Sequence, residues 1–256
     1  MAPSLHQLGL ALRTARYLRP QQITAQLVHR LRGPARQPQR CRAPGVTGLA
    51  PCADPLPPSP EGQPDPDGGV VLLGQPSHDP CRGGWQPGAD PLWSYTLHYH
   101  GWLSHPQMPL PRARATMLGW IGEHRHGVGW EPYPTSMRVL HWLGWLHRHG
   151  ATLQAFERER ILGSLGAQLE HLAAHVETHL DGNHLWTNLV ALTCGGVALR
   201  GPLPSRLAER FGPRLLATIG EQLAGDGVHG ERTPTYHCLL AEQLAVLRSF
   251  ARASQP

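Results

Sequence analysis

The chain has 256 residues, of which 40% are apolar and only 16% charged, with 23 basic and 18 acidic side chains and 17 His. That length holds one or two domains with a real core, and the apolar share excludes disorder throughout. The net charge of +5 is reached without a single lysine and beside 29 Gly and 26 Pro, so it reads as coding bias and argues for no nucleic-acid partner.

Cys41, Cys52, Cys81, Cys194 and Cys238 contain no C-x-x-C pair, so neither a disulfide framework nor a zinc knuckle is indicated. The longest apolar runs fall short of about 18 residues, and the patch from Leu8 to Leu12 is followed at once by Arg13 and Arg16. No transmembrane segment and no signal peptide are therefore expected, and the cytoplasm is the default compartment.

In chain order, residues 1–33 read as two short helices, over 5–18 and 20–32, the second opening at Pro20 with Ile23, Leu27 and Leu31 on one face. Their arginines suit a solvated face better than a phosphate-rich partner. Residues 34–91 change character, because 14 of the 26 prolines lie between 33 and 91. No helix is expected there. The segment reads as an irregular Pro/Gly-rich wrap, partly disordered around 43–68, with one short strand at Val70-Val71-Leu72-Leu73.

Residues 92–252 read as helical almost throughout. An aromatic-rich stretch over 93–103 precedes a helix over 113–125, and another begins at Pro134-Thr135-Ser136 with Met137, Leu140 and Leu143 on one face. Residues 152–180 repeat apolar positions at threes and fours, with Gly163 and Gly166 as weak points. Further helices fit 184–199, 204–211, 213–224 and 234–252, divided by Gly-Pro or Asp-Gly. Short links make successive helices antiparallel neighbours, so the expected class is all-α, helical hairpins side by side with loops at one end to build a site.

Three groups of residues carry chemistry. His171, His175 and His179 stack on one helix face, a spacing metals use, but no H-E-x-x-H accompanies them and a polar face explains them as well. His124 and His147 read as helix ends where a cation suits the dipole. The turn Leu180-Asp181-Gly182-Asn183-His184 places an Asn-His pair at the mouth of an apolar helix, either facing an anion or simply capping that helix. The loop Asp226-Gly227 to Tyr236-His237 brings Arg232 near a Tyr-His pair. A cation beside a phenol favours phenolate, and an imidazole exchanges protons near neutrality; a Tyr packed on its neighbours is the alternative.

Taken in order, Leu92-Trp93-Ser94-Tyr95-Thr96-Leu97-His98-Tyr99, Trp130-Glu131-Pro132-Tyr133-Pro134-Thr135-Ser136-Met137-Arg138, Gly182-Asn183-His184-Leu185 and Glu231-Arg232-Thr233-Pro234-Thr235-Tyr236-His237 form a series. This series resembles the N-terminal helical domain of heparinase II/III-like polysaccharide lyases, over about residues 12–250. The resemblance implies an incomplete (α/α) toroid over 92–252 and β-elimination on uronic-acid-containing acidic polysaccharides, with no metal and no cofactor. It further implies that Asn183 and His184 neutralise the substrate carboxylate or help move protons, and that Tyr236 acts as base, acid or both. Arg232 and His237 would bind substrate or support Tyr236, whose phenol, ordinarily near pKa 10, needs such a cation to act as a base. Trp93, Tyr95, Tyr99, Trp130 and Tyr133 would stack on sugar rings or belong to the core.

The sequence departs from the family at Thr96, where Asn is usual, at His100-Gly101, where an aromatic-Asp pair is usual, and at Gly230. It also ends one helix after Tyr236, before the further toroid helices, a second active-site His and the β-sandwich of full-length relatives. The expectation is therefore a truncated lyase, half of a split lyase completed by a separate β-sandwich chain, or a glycan-binding remnant. The family also implies the periplasm, against the absence of an export signal.

Overall fold

A computed structural model of the chain describes residue 24 and residues 45–52, 61–77, 79–83, 85, 90–124, 126–180 and 182–253. Apart from Thr24, which is helical, the two helices expected over 5–18 and 20–32 lie outside the described residues. The fold is all-α with a few short strands. Its helices are α1 (Pro91–Tyr99), α2 (Leu110–Glu123), α3 (Pro132–His149), α4 (Ala155–Ala174), α5 (Gly182–Ala198), α6 (Pro202–Gln222) and α7 (Pro234–Ala253).

A proline-rich chain supports so much helix because its prolines stand at helix starts. α1, α2, α3 and α6 carry Pro in the first turn and α7 opens on Pro234, where the missing N–H would have had no partner anyway. Asp90 caps α1, accepting from the N–H groups of Leu92 and Trp93. Gln154 and Glu157 form a reciprocal capping box on α4.

Four boundaries differ from the sequence expectation. The Pro-rich segment does hold a one-turn helix, Pro80–Gly83, because proline is tolerated in a first turn. The helix read over 152–180 stops at Ala174, and residues 175–180 turn toward α5. The helix expected from Pro134 begins at Pro132. The pair read over 204–211 and 213–224 is the single helix α6 with Pro213 inside it. Leu203, Leu207, Phe211 and Leu215 form one buried stripe running past Pro213, which itself is exposed, so packing outweighs the hydrogen bond that proline removes.

The helices pack alternately. α1 lies against α3, α3 against α5 and α5 against α7, while α2 packs on α4, α4 on α3 and α5, and α6 on α5. At the centre is α5, buried from Trp186 to Gly195. Trp102, Trp120, Trp130, Trp142, Trp145 and Trp186 fill the main core.

The wrap is attached to this body. Strand β1 (Gly48–Leu49) pairs antiparallel with β5 (Leu199–Arg200), the link from α5 to α6. Gly201 there has φ 124°, and a Cβ on it would run into the carbonyl of Gly45. The strand expected near 70 is β3 (Val70–Leu72), the middle of an antiparallel sheet with β2 (Gln63–Pro64) and β4 (Gln75–Pro76). Val70 and Leu72 enter the main core, and Arg112 of α2 donates to the carbonyls of Asp65, Gly68 and Gly69.

Candidate active site

The N-terminal ends of α3, α5 and α7 meet the outer face of α1 at one place. Tyr99, Tyr133 and Met137 form a small buried cluster separate from the main core, with Tyr95 and Leu239 packed against it. Tyr95 donates from its hydroxyl to Glu131. The Tyr99 and Tyr133 rings meet edge-on at 5.8 Å, and Tyr133 lies 4.4 Å from the His184 imidazole.

Two loops carry the rest. Gly182 opens α5 with φ 55°, a left-handed backbone that favours glycine, and a Cβ there would displace the Glu231 carboxylate. Glu231 accepts from the Asn183 backbone N–H at 3.2 Å. Asn183 is thus a residue of the first helical turn held by the 226–233 loop. That loop is itself fixed, because the Gly230 N–H donates to the Gln222 carbonyl at 2.8 Å and buried His229 bonds the Gln222 side chain at 3.0 Å. Gln222 in turn donates to the Gly182 carbonyl at 3.1 Å.

On the other side of α5 lies Glu177, 8% exposed, whose Oε1 is 3.2 Å from Nδ1 of His184 and whose Oε2 accepts from Asn188 at 3.2 Å. Neither Glu177 nor Glu231 stood out as chemistry in the sequence. The signal for Glu177 is its burial, which sequence spacing does not reveal.

Electrostatics make the tyrosines proton holders. Burial raises the Tyr95 phenol, helped by its bond to Glu131 and the charges of Glu131 and Glu177. Burial likewise raises Tyr99, with Tyr133 and Glu61 adding to the effect. Tyr133 is pushed up to about 12 by burial and Glu61, while a hydrogen bond from Thr187 acts the other way and nearby Tyr236 and Glu177 add a little.

Tyr236 stands in the first turn of α7, 37% exposed, close enough to Tyr133 to oppose its ionisation. His237 is exposed beside it, and Arg232, also exposed, has φ 52° and a backbone N–H bonded to the His229 carbonyl. Trp93 is not part of the assembly: it packs on the main core and its indole donates to the Gln75 carbonyl. Trp130 is core as well.

The histidines behave differently from a polar face. His171 is 2% exposed, bonds the Trp130 carbonyl at 2.8 Å and stacks on His175 at 4.2 Å. Burial lowers His171 and His124 to about 4, so His124 at the end of α2 is neutral rather than a dipole-matched cation. Burial lowers His147 too. Among the described residues, no three His, Cys, Asp or Glu side chains gather where a metal would be held.

A second cluster lies deep under α1. His98 accepts from the Trp120 indole at 3.3 Å and His100 from the Trp142 indole at 2.9 Å, with burial lowering both imidazoles well below the usual value. Between them Arg138, fully buried, donates to Gln168, the His98 carbonyl and Thr135, and lies 3.8 Å from the Trp120 ring centre.

No family model, no curated protein and no solved structure matches the chain. No helix among the described residues is long and apolar enough to cross a membrane.

Proposed function

We propose that the protein is a polysaccharide lyase of heparinase II/III type, acting on uronic-acid glycans by β-elimination from an incomplete (α/α) toroid. The observation that carries this reading is convergence. Four motifs far apart in the chain meet through Tyr95 with Glu131, Tyr99 with Tyr133, Tyr133 with His184, and Asn183 with Glu231. The toroid reading is supported by the run of contacts from α1 to α3, α3 to α5 and α5 to α7, with α2 packed on α4 and α6 on α5 beside it.

Elimination needs three things: neutralisation of the carboxylate beside C5, removal of the C5 proton, and protonation of the departing glycosidic oxygen at C4. The electron pair of the C5–H bond becomes the C4–C5 double bond as the C4–O bond breaks. Asn183, at the mouth of α5, receives the carboxylate, and His184 beside it helps move protons. Tyr236 faces the reacting carbon as base and then as acid, with Arg232 and His237 on the exposed side binding the anionic chain. Tyr95, half-buried with its hydroxyl on Glu131, is the ring left to meet the sugars, whereas Tyr133 is buried behind His184 and backs it.

The test is ultraviolet absorbance of the unsaturated product during incubation with a panel of uronic-acid polysaccharides. The expected result is a rise that Tyr236→Phe lowers by about 10²- to 10⁴-fold. No rise with any substrate, from protein shown to be folded, overturns autonomous catalysis. Binding of the same glycans without turnover then identifies a non-catalytic glycan-binding protein or one part of a split lyase.

A further inference from the structure

Glu177 lies in the turn between α4 and α5, removed from water. A carboxylate in that position is costly unless every lone pair is used, and here the partners form a clamp. The Glu177 backbone N–H donates to Oδ1 of Asn188 at 2.9 Å, which leaves the Asn188 amide nitrogen to face Oε2 of Glu177 at 3.2 Å and the Ser136 hydroxyl at 3.1 Å. Ser136 donates in turn to the Pro132 carbonyl at 2.8 Å. The clamp thus ties the 175–180 turn to α3 and α5, and it sets the direction of the remaining oxygen.

That oxygen, Oε1, meets Nδ1 of His184 at 3.2 Å. An ionised carboxylate only accepts, so Nδ1 must carry the hydrogen. The ring is held on a second side by Tyr133, tilted 37° to it.

We infer that Glu177 is the positioning residue of this site, holding the His184 imidazole in the tautomer with hydrogen on Nδ1 and so making Nε2 its basic atom. This deepens the lyase reading and rests on it for the reaction, where Nε2 is the atom that takes up or returns a proton beside Tyr236. Glu177 touches no substrate. It acts through the ring it orients, as carboxylates behind catalytic and metal-bound imidazoles do.

The experiment is nitrogen-15 NMR of the neutral imidazoles in the full-length protein, with His184 identified by loss of its signals in His184→Asn. In the wild type, Nδ1 is expected at the protonated position and Nε2 at the unprotonated one. Glu177→Gln keeps the shape, lets its amide oxygen accept from Asn188 and presents N–H groups to the ring, so the hydrogen moves to Nε2 and the two signals exchange. Glu177→Asp, with a shorter carboxylate that withdraws from Nδ1, serves as the second variant if the glutamine protein does not fold, and mixes the tautomers. A wild-type His184 with hydrogen on Nε2, or signals identical in wild type and variants, overturns the inference.

With any polysaccharide that yields product, Glu177→Gln lowers kcat about 10- to 100-fold and leaves KM nearly unchanged. An unchanged kcat overturns the positioning role. If the wild type yields no product, autonomous catalysis falls, and the NMR result alone decides what Glu177 does to His184.

Discussion

Two clusters of aromatic and histidine side chains lie in the same helical body, and what surrounds the imidazoles sets them apart. Under α1, His98, His100 and His124 are enclosed by Trp85, Trp120 and Trp142 and share their cage with the Arg138 cation. At the helix mouths, His184 is half-buried between a tyrosine ring and the carboxylate of Glu177. In the first, removal of water and a nearby cation keep the rings neutral, and indole N–H groups bond the ring nitrogens of His98 and His100. In the second, a carboxylate gives the ring a fixed hydrogen and tyrosines with raised pKa keep theirs. The same residue types build a buried interior in one place and a half-buried mouth lined by carboxylates in the other; burial and the sign of the neighbouring charge set the two apart.

The strongest way to break this contrast is Trp120→Ala. Trp120 touches Arg138, His98, His124 and Trp142, and its loss is expected to destabilise the protein by about 3–5 kcal/mol in urea unfolding. A loss below about 1 kcal/mol would show that the tryptophan cage is not where the stability resides.

A pH series sharpens the contrast. His124 and His171 titrate near 6.5 when unfolded but at about 4 when folded, so between those values the unfolded chain binds more protons. Their contribution to stability is complete above pH 6.5 and is lost as the pH falls toward 4. His124→Leu removes one such group. It should flatten the dependence of unfolding free energy on pH by less than about 1.4 kcal/mol per pH unit, the limit for one group, since solvent screens a ring that is partly exposed. An unchanged slope between pH 6.5 and 4 would refute the assignment.

The smallest effect is expected at the mouth of α5. Gly182→Ala forces a left-handed backbone on a residue with a side chain and displaces Glu231 from Asn183, at a cost of about 1–2 kcal/mol in thermal unfolding. No change would mean that Glu231 moves aside freely and that the 226–233 loop does not hold Asn183.

Much of this architecture is legible in the sequence, because apolar spacing, Pro at helix starts and short links are local properties. The stretch Val70-Val71-Leu72 reads as a strand and is one. The Gly212-Pro213 pair misleads, since a local breaker is outweighed by the stripe from Leu203 to Leu215, whose spacing of four was the better guide. The triplet of His171, His175 and His179 misleads differently: the helix ends at Ala174, so His175 stands at its C-terminal cap and His179 in the turn beyond, and the three share no helix face. Tyr95, Tyr133, Asn183, His184 and Tyr236 stand out by type and motif, and the fold draws them toward one another, whereas Trp93 belongs to the main core.

What the amino-acid sequence determined by itself is the all-α class, most of the helices between 92 and 252 and the residue types available at their ends, because helix propensity, capping and punctuation act over a few residues. Only the tertiary structure decided that Glu177 stands behind His184, that Glu231 holds Asn183 and that Arg138 is enclosed by tryptophan. Glu231 and Asn183 stand 48 residues apart, and even the nearer pairs, such as Glu177 with His184, meet across a turn or between helices, so their energies depend on an exclusion of water that no stretch of sequence achieves until the helices have packed.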